Sequence, residues 1–172
     1  MSFARDFAAD RQAVASGPIT LSPGMIPMFI GQYHRAINDE SRLTIPAGFR
    51  ERLSGGAYVT QGFDRNLWVL TAQAFQEIYQ RVTAMNLADP LARLLLRMIL
   101  GAASELEMDE AGCILVPKNL REYANLNGEA ILVGQGDYFE VWSPVNWHEQ
   151  EMQLQDAEAN AQRFVMLDLA VG

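Results

Sequence analysis

The sequence predicts an α+β fold, mainly β, in which two tandem β-α-β repeats interleave into one pseudo-twofold barrel with flanking helices. Three observations predict it. Laid on itself at an offset of 71, the chain aligns Asn38-Asp39-Glu40-Ser41-Arg42-Leu43-Thr44-Ile45-Pro46 with Asp109-Glu110-Ala111-Gly112-Cys113-Ile114-Leu115-Val116-Pro117, and Phe49-Arg50-Glu51 with Leu120-Arg121-Glu122, which is an internal repeat. The strands readable in each copy are short and separated by polar turns, a pattern that favours a mainly antiparallel sheet over a wound α/β one. Each copy has about 45 residues, too few for a core of its own, so the two copies are expected to share one interior.

Taken in order, residues 1–27 mix Ala, Ser, Gly and Pro without periodicity and are expected to be a flexible N-terminal extension, with structure starting near Met28. Repeat 1 is placed at 32–79 and repeat 2 at 103–146. In each, a polar turn leads to a short apolar strand that stops at Pro46 or Pro117. Proline cannot donate to a ladder, but its fixed φ suits the start of a helical turn, whose apolar pairs are Phe49 with Leu53 and Leu120 with Ala124. Two further strands follow, Tyr58 to Gln61 with Leu67 to Leu70 in the first copy, and Ile131 to Gly134 with Phe139 to Trp142 in the second. Thr71 and Ser143 are helix caps, the latter with Pro144 at the first helical position. The helix after Thr71 carries Phe75, Ile78, Tyr79 and Val82 at i, i+3, i+4 and i+7.

A connecting helix is placed at 84–102, with Asp89-Pro90 as cap and first residue and Leu91, Leu94, Leu95 and Met98 as its apolar stripe. Residues 147–172 read as a C-terminal helix, rich in Gln, Glu and Ala to about Arg163, and a tail. The apolar end, Phe164 to Val171, suits either docking on a neighbour or a mobile terminus.

Composition narrows the class. A hydrophobic share of 49% with 20% charged residues is that of a folded, water-soluble protein. The single cysteine, Cys113, excludes an intramolecular disulfide framework and a multi-cysteine zinc site, and two histidines exclude a histidine-rich metal site, so no cofactor is expected. Arg5, Asp6, Asp10 and Arg11 interrupt the region where a signal peptide would be apolar. The charge-free stretch from Gln12 to His34 carries three prolines, and the next apolar run is broken by Arg93 and Arg97, so a cytoplasmic location with no membrane partner is expected.

Net charge is −8, which taken alone argues against a polyanionic partner. Its distribution is uneven. Residues 31–83 carry six arginines against five acids, whereas residues 84–172 carry five bases against fourteen acids. Twelve of the thirteen bases are arginine, the residue suited to bidentate phosphate and guanine contacts.

These repeated residues resemble the MraZ family, the two-copy SpoVT-AbrB-like regulators encoded at the head of bacterial division and cell-wall gene clusters. The likeness runs from Met28-Phe29-Ile30-Gly31-Gln32-Tyr33 through Gly62-Phe63-Asp64-Arg65 and the stretch from Ala102 to Leu126. It implies a sequence-specific DNA-binding transcriptional regulator, a repressor of its own cluster, nucleoid-associated and reading direct repeats in a promoter as a ring of identical chains. The implied partners are double-stranded promoter DNA and the chain itself, with no small-molecule substrate. The family's Asp-x-x-x-Arg turn is departed from twice: Asn38 stands at the aspartate of copy one, and Cys113 at the arginine of copy two. Copy one is then the expected reader, with Arg42, Asn38, Arg35 and Arg50 as its DNA-binding residues. One such arginine per chain is weak, and a ring of repeated sites would gain avidity.

Two readings compete, and a third, the single-copy AbrB-type antitoxin, is disfavoured because both copies lie in one chain and no separate toxin-binding tail is evident. An enzyme would recruit Cys113 with His34 or His148, or the carboxylates Asp39 and Asp109, yet Cys113 lies among Ile114, Leu115 and Val116, where a thiol is inert. A ring-forming interaction protein with weakened DNA readout would explain both departures and the acidic balance.

Overall fold

The computed structural model describes residues 28–167, so the expected extension at 1–27 and the last residues of the tail lie outside them. Eight strands and six helices follow in order: β1 (Gln32–Ala36), β2 (Arg42–Thr44), α1 (Ala47–Leu53), β3 (Ala57–Gln61), β4 (Leu67–Thr71), α2 (Ala72–Thr83), α3 (Pro90–Ile99), β5 (Ser104–Leu106), β6 (Cys113–Leu115), α4 (Lys118–Tyr123), β7 (Glu129–Gly134), β8 (Tyr138–Trp142), α5 (Pro144–Gln155) and α6 (Ala157–Phe164). A short 3₁₀ turn, Val165–Leu167, closes the described chain.

Six strands form one antiparallel sheet in the order β1-β7-β8-β4-β3-β5, and β2 pairs with β6 as a separate two-stranded ribbon. The hairpins β3–β4 and β7–β8 belong to one repeat each and meet at the sheet centre, where Trp68 stands opposite Glu140. The outer strands are exchanged. Strand β1 of the first repeat extends the hairpin of the second, pairing Tyr33 with Leu132, and β5 of the second extends that of the first, pairing Tyr58 with Glu105. The ribbon is exchanged in the same sense, with Leu43 opposite Ile114, residues that the offset of 71 makes equivalent.

The expected closed barrel is therefore corrected to an open sheet with β1 and β5 as its edges. Closure would need continuous ladders from those edges into the ribbon. Only single bridges exist there, Ile37 to Leu43 and Met108 to Ile114, because the chain reverses sharply at Ser41 (φ 64°) and Gly112 (φ 78°) and the ribbon strands stop at proline after a few residues. The edge strands β1 and β5 were not among the strands read from the sequence.

The core draws on both repeats. Phe29, Phe49 and Phe139 meet with ring centroids 4.9 to 5.2 Å apart, tying the segment before β1 to α1 and β8. Leu43, Ile45, Leu67, Val69, Ile114, Leu120 and Leu132 fill the same interior. Trp142 of β8 and Trp147 of α5 pack with Ile131 in a smaller cluster. The caps form as expected: Thr71 accepts from the Ala74 amide, Asp89 from Leu91, and Ser143 from Asn146. Helix α3 is shorter than the span 84–102, and its stripe is partly turned outward: Leu91 and Leu94 are exposed and Leu95 and Met98 half-buried, while Ala92 and Ile99 are buried. Likewise the helix after Ser143 breaks at Asp156, which caps α6.

Gly134 shows how closely the exchanged parts approach. A Cβ there would stand 2.5 Å from the Ile30 backbone, in the segment that carries Phe29 into the core. Gly134→Ala is expected to lower stability by about 2 kcal/mol, the scale of core overpacking, as a fall in the urea midpoint with unchanged slope.

Candidate nucleic-acid interface

The turn before each ribbon strand is built from its first side chain. Asn38 Oδ1 accepts from the Glu40 amide (3.1 Å) and the Arg42 amide (2.9 Å), and the Asn38 amide donates to the Arg42 carbonyl (3.0 Å). In the second repeat Asp109 Oδ1 accepts from the Cys113 amide (2.9 Å), and the Asp109 amide donates to the Cys113 carbonyl (2.9 Å). An asparagine thus performs the turn-forming work of the aspartate, and the departure at position 38 leaves this geometry intact.

Along the ribbon, Leu43 and Ile114 are buried, so alternation puts Arg42, Thr44, Cys113 and Leu115 on the opposite face. Arg42 is its cation. One guanidinium nitrogen, Nη1, donates to Asp109 Oδ2 at 3.0 Å, and Nε lies 3.7 Å from Glu40. The side chains of Arg42 and Asp109 keep 38% and 34% of their surface exposed, so the pair is screened by water. Glu105, Glu107, Leu115 and Pro117 complete a groove around it.

Of the four residues expected to bind DNA, Asn38 and Arg42 come together in this way. Arg35 lies on edge strand β1, with its guanidinium 5.5 Å from the Tyr33 ring centre and a hydrogen bond to the His34 carbonyl. Arg50 has a structural assignment: its Nε donates to the Ile45 carbonyl at 2.8 Å and its guanidinium lies over Gly112, where a Cβ would collide with it. Its counterpart at the offset of 71, Arg121, donates Nε to the Val116 carbonyl at 3.1 Å. Each arginine fastens the helix after proline to the end of its ribbon strand. Arg52 is another structural tie. Its guanidinium stacks 4.1 Å from the Phe29 ring centre and donates to the Gly136 carbonyl, and loss of solvent lowers its pKa, with Asp137 partly opposing.

The segment Gly62-Phe63-Asp64-Arg65 is the β3–β4 turn. Tyr123 donates its hydroxyl proton to the Gly62 carbonyl, and Asn146 donates to that of Arg65.

The family model described as "MraZ protein, putative antitoxin-like" matches residues 28–98 and again residues 99–168. The chain is 41% identical over 141 residues to a protein of Thermomicrobium roseum, covering 81% of this chain and 99% of that one. It is 39% identical over 143 residues to one of Moorella thermoacetica, covering 83% and 100%, and 39% identical over 137 residues to one of Roseiflexus castenholzii, covering 80% and 94%. Each is named "Transcriptional regulator MraZ". The chain belongs to the MraZ family.

That membership sets aside the enzyme reading, since MraZ proteins carry the name of transcriptional regulators. In the ribbon Cys113 Sγ lies 3.5 Å from Thr44 Oγ1, and on α5 His148 Nδ1 lies 4.0 Å from Glu151. Among the described residues no helix is long and apolar enough to cross a membrane. Within this MraZ sheet the centre holds a feature the sequence did not announce. Glu140 is partly buried, its carboxyl pKa raised by desolvation and by Asp64, against hydrogen bonds from Trp142 and Asn66 that lower it. Burial likewise raises the Tyr138 hydroxyl, and Glu140 adds to it.

Arg50→Ala is expected to cost about 1.5 to 3 kcal/mol, the range for a hydrogen bond from a charged group, while Arg42→Ala costs no more than about 1 kcal/mol; equilibrium unfolding compares the two. For Glu140 the folded state favours the protonated acid, so its contribution is full below the usual carboxylate range and is lost as pH rises through the raised pKa. Glu140→Gln keeps an acceptor for Trp142, and is expected to raise Tm at pH 8 relative to the parent. The gap should narrow on acidification in a matched pH series.

Proposed function

We propose that this chain regulates transcription by binding promoter DNA with the outer face of the β2–β6 ribbon. The observation that carries the reading is one arginine, Arg42, on the outward face of a two-stranded antiparallel ribbon, in a member of a family whose relatives are named transcriptional regulators. Such a ribbon fits a major groove, and a guanidinium there can take guanine O6 and N7 or a phosphate. Asn38 and Arg50 serve that face by holding the turns at either end of it, and Arg35 on the neighbouring edge strand supplies a phosphate contact. The functional units are the repeats at 32–79 and 103–146, with the first as reader because Cys113 leaves the second without the equivalent arginine.

In this reading the protein acts in the cytoplasm on the nucleoid, repressing its own division and cell-wall cluster. One arginine per chain binds weakly, so the reader is a ring of identical chains bound to direct repeats, where effective concentration multiplies weak contacts. The outward apolar residues Leu91 and Leu94 of α3 support association between copies. A second reading, a ring-forming interaction protein with weakened DNA readout, is favoured by one observation: Arg42 already has Asp109 as partner in a chain of net charge −8.

Fluorescence anisotropy across a salt series, with the duplex upstream of the protein's own gene against a scrambled duplex, separates the two. Specific, salt-steep binding that Arg42→Ala abolishes supports the regulator. A ring without preference for the upstream duplex supports the interaction protein.

A further inference from the structure

We propose that Asp109 is the specificity-determining partner of Arg42, holding its guanidinium in place so that its remaining N–H donors read base chemistry in preference to phosphate. The inference rests on the DNA-binding reading above and assigns a role that reading leaves open.

The repeat makes the argument. Under the offset of 71, the cross-repeat pair Arg42–Asp109 has a mate at positions 113 and 38. Those positions hold Cys113 and Asn38, so both members of the mate pair are neutral and neither side leaves a charge without its counterpart. The two departures from the repeated turn are thus one change at one place, and a single ion pair is kept.

Asp109 uses its two oxygens for separate tasks. Oδ1 accepts from the Cys113 amide at 2.9 Å, just as Asn38 Oδ1 accepts from the Arg42 amide at 2.9 Å. The turn needs one acceptor, and Asn38 demonstrates that a neutral amide supplies it. The charge and the second oxygen of Asp109 are therefore not required by the turn, and they are spent on Arg42 at 3.0 Å.

Arg42 keeps donors to spare. Asp109 takes Nη1 and Glu40 stands 3.7 Å from Nε, two nitrogens on different sides of the fork, while Nη2 has no partner among the described residues and the side chain is 38% exposed. A guanidinium already held at one nitrogen loses less rotamer freedom when its remaining donors bind. Glu105 and Glu107 line the same groove and repel phosphate oxygens. A base edge bears no full charge and meets less of that repulsion.

Asp109→Asn tests this with the turn acceptor retained. Thermal unfolding first establishes that the variant folds; then the parent, Asp109→Asn, Arg42→Ala and the double variant are titrated against the upstream and scrambled duplexes. In Asp109→Asn, scrambled DNA is expected to bind more tightly and the preference for the upstream duplex to fall about tenfold, the scale of one bidentate base contact. In the Arg42→Ala background the same substitution should leave the ratio unchanged. A preference that Arg42→Ala removes but Asp109→Asn keeps within twofold overturns the role of Asp109 and leaves the DNA-binding reading standing. Absence of preference in the parent overturns that reading itself. A second arm rebuilds the mate pair with Asn38→Asp and Cys113→Arg together, and is expected to sharpen the preference. An unchanged ratio there also overturns the proposal.

Discussion

The pairing of Arg42-Leu43-Thr44 with Cys113-Ile114-Leu115 is the contact on which the rest of the molecule depends. It joins the two repeats at their equivalent centres, with Leu43 and Ile114 both buried, each a burial worth about 1.5 to 3 kcal/mol. Val116 donates its amide to the Ser41 carbonyl, and Ile45 donates to that of Gly112, so each ribbon strand is closed by the other repeat's turn. Because β1 and β5 are exchanged in the same sense, neither repeat completes a sheet or an interior without its partner. The exchange converts two segments too short to fold alone into one body.

That constraint also divides the arginines. Arg50 and Arg121 point their Nε atoms at carbonyls of their own repeat's strand end, and Arg52 covers Phe29, so three cations are committed to holding helices on the ribbon and sheet. Arg42 has a carboxylate as partner in place of a backbone carbonyl, and it stands on the outward face. A carboxylate held in a half-exposed pair can be exchanged for another polar group, whereas a carbonyl at the end of a strand has no substitute donor. Residue type and local charge density do not distinguish these cases; the identity of the accepting atom does.

Much of the architecture was legible in the chain because it depends on local chemistry. Thr71, Asp89 and Ser143 satisfy helix N-termini within three residues of themselves, and Pro46 and Pro117 end their strands by lacking a donor. Where the reading fell short, the deciding contact was distant. Strands β1 and β5 escaped notice because they are edge strands with polar exposed positions, and what makes them strands is a hairpin in the other repeat. The stripe on α3 had helical period without showing which way it faced, since its other face, with Ala92 and Ile99, is what meets the sheet. Arg50 reads as part of a cationic surface because the sequence does not show that its long side chain turns back to the Ile45 carbonyl and lies over Gly112 of the other repeat.

The sequence by itself determined the repeat, its turns, caps and breaks, and the substitution of Asn38 and Cys113 into the repeated pattern, since each is written in residues a few positions apart. The tertiary structure alone decided that the sheet stays open, that Arg50 lies over Gly112 of the other repeat, and that Arg42 meets Asp109 across 67 positions of chain. The reason is that short-range bonding is fixed by backbone geometry, while the partner of a long, flexible side chain depends on which segments the shared core brings together.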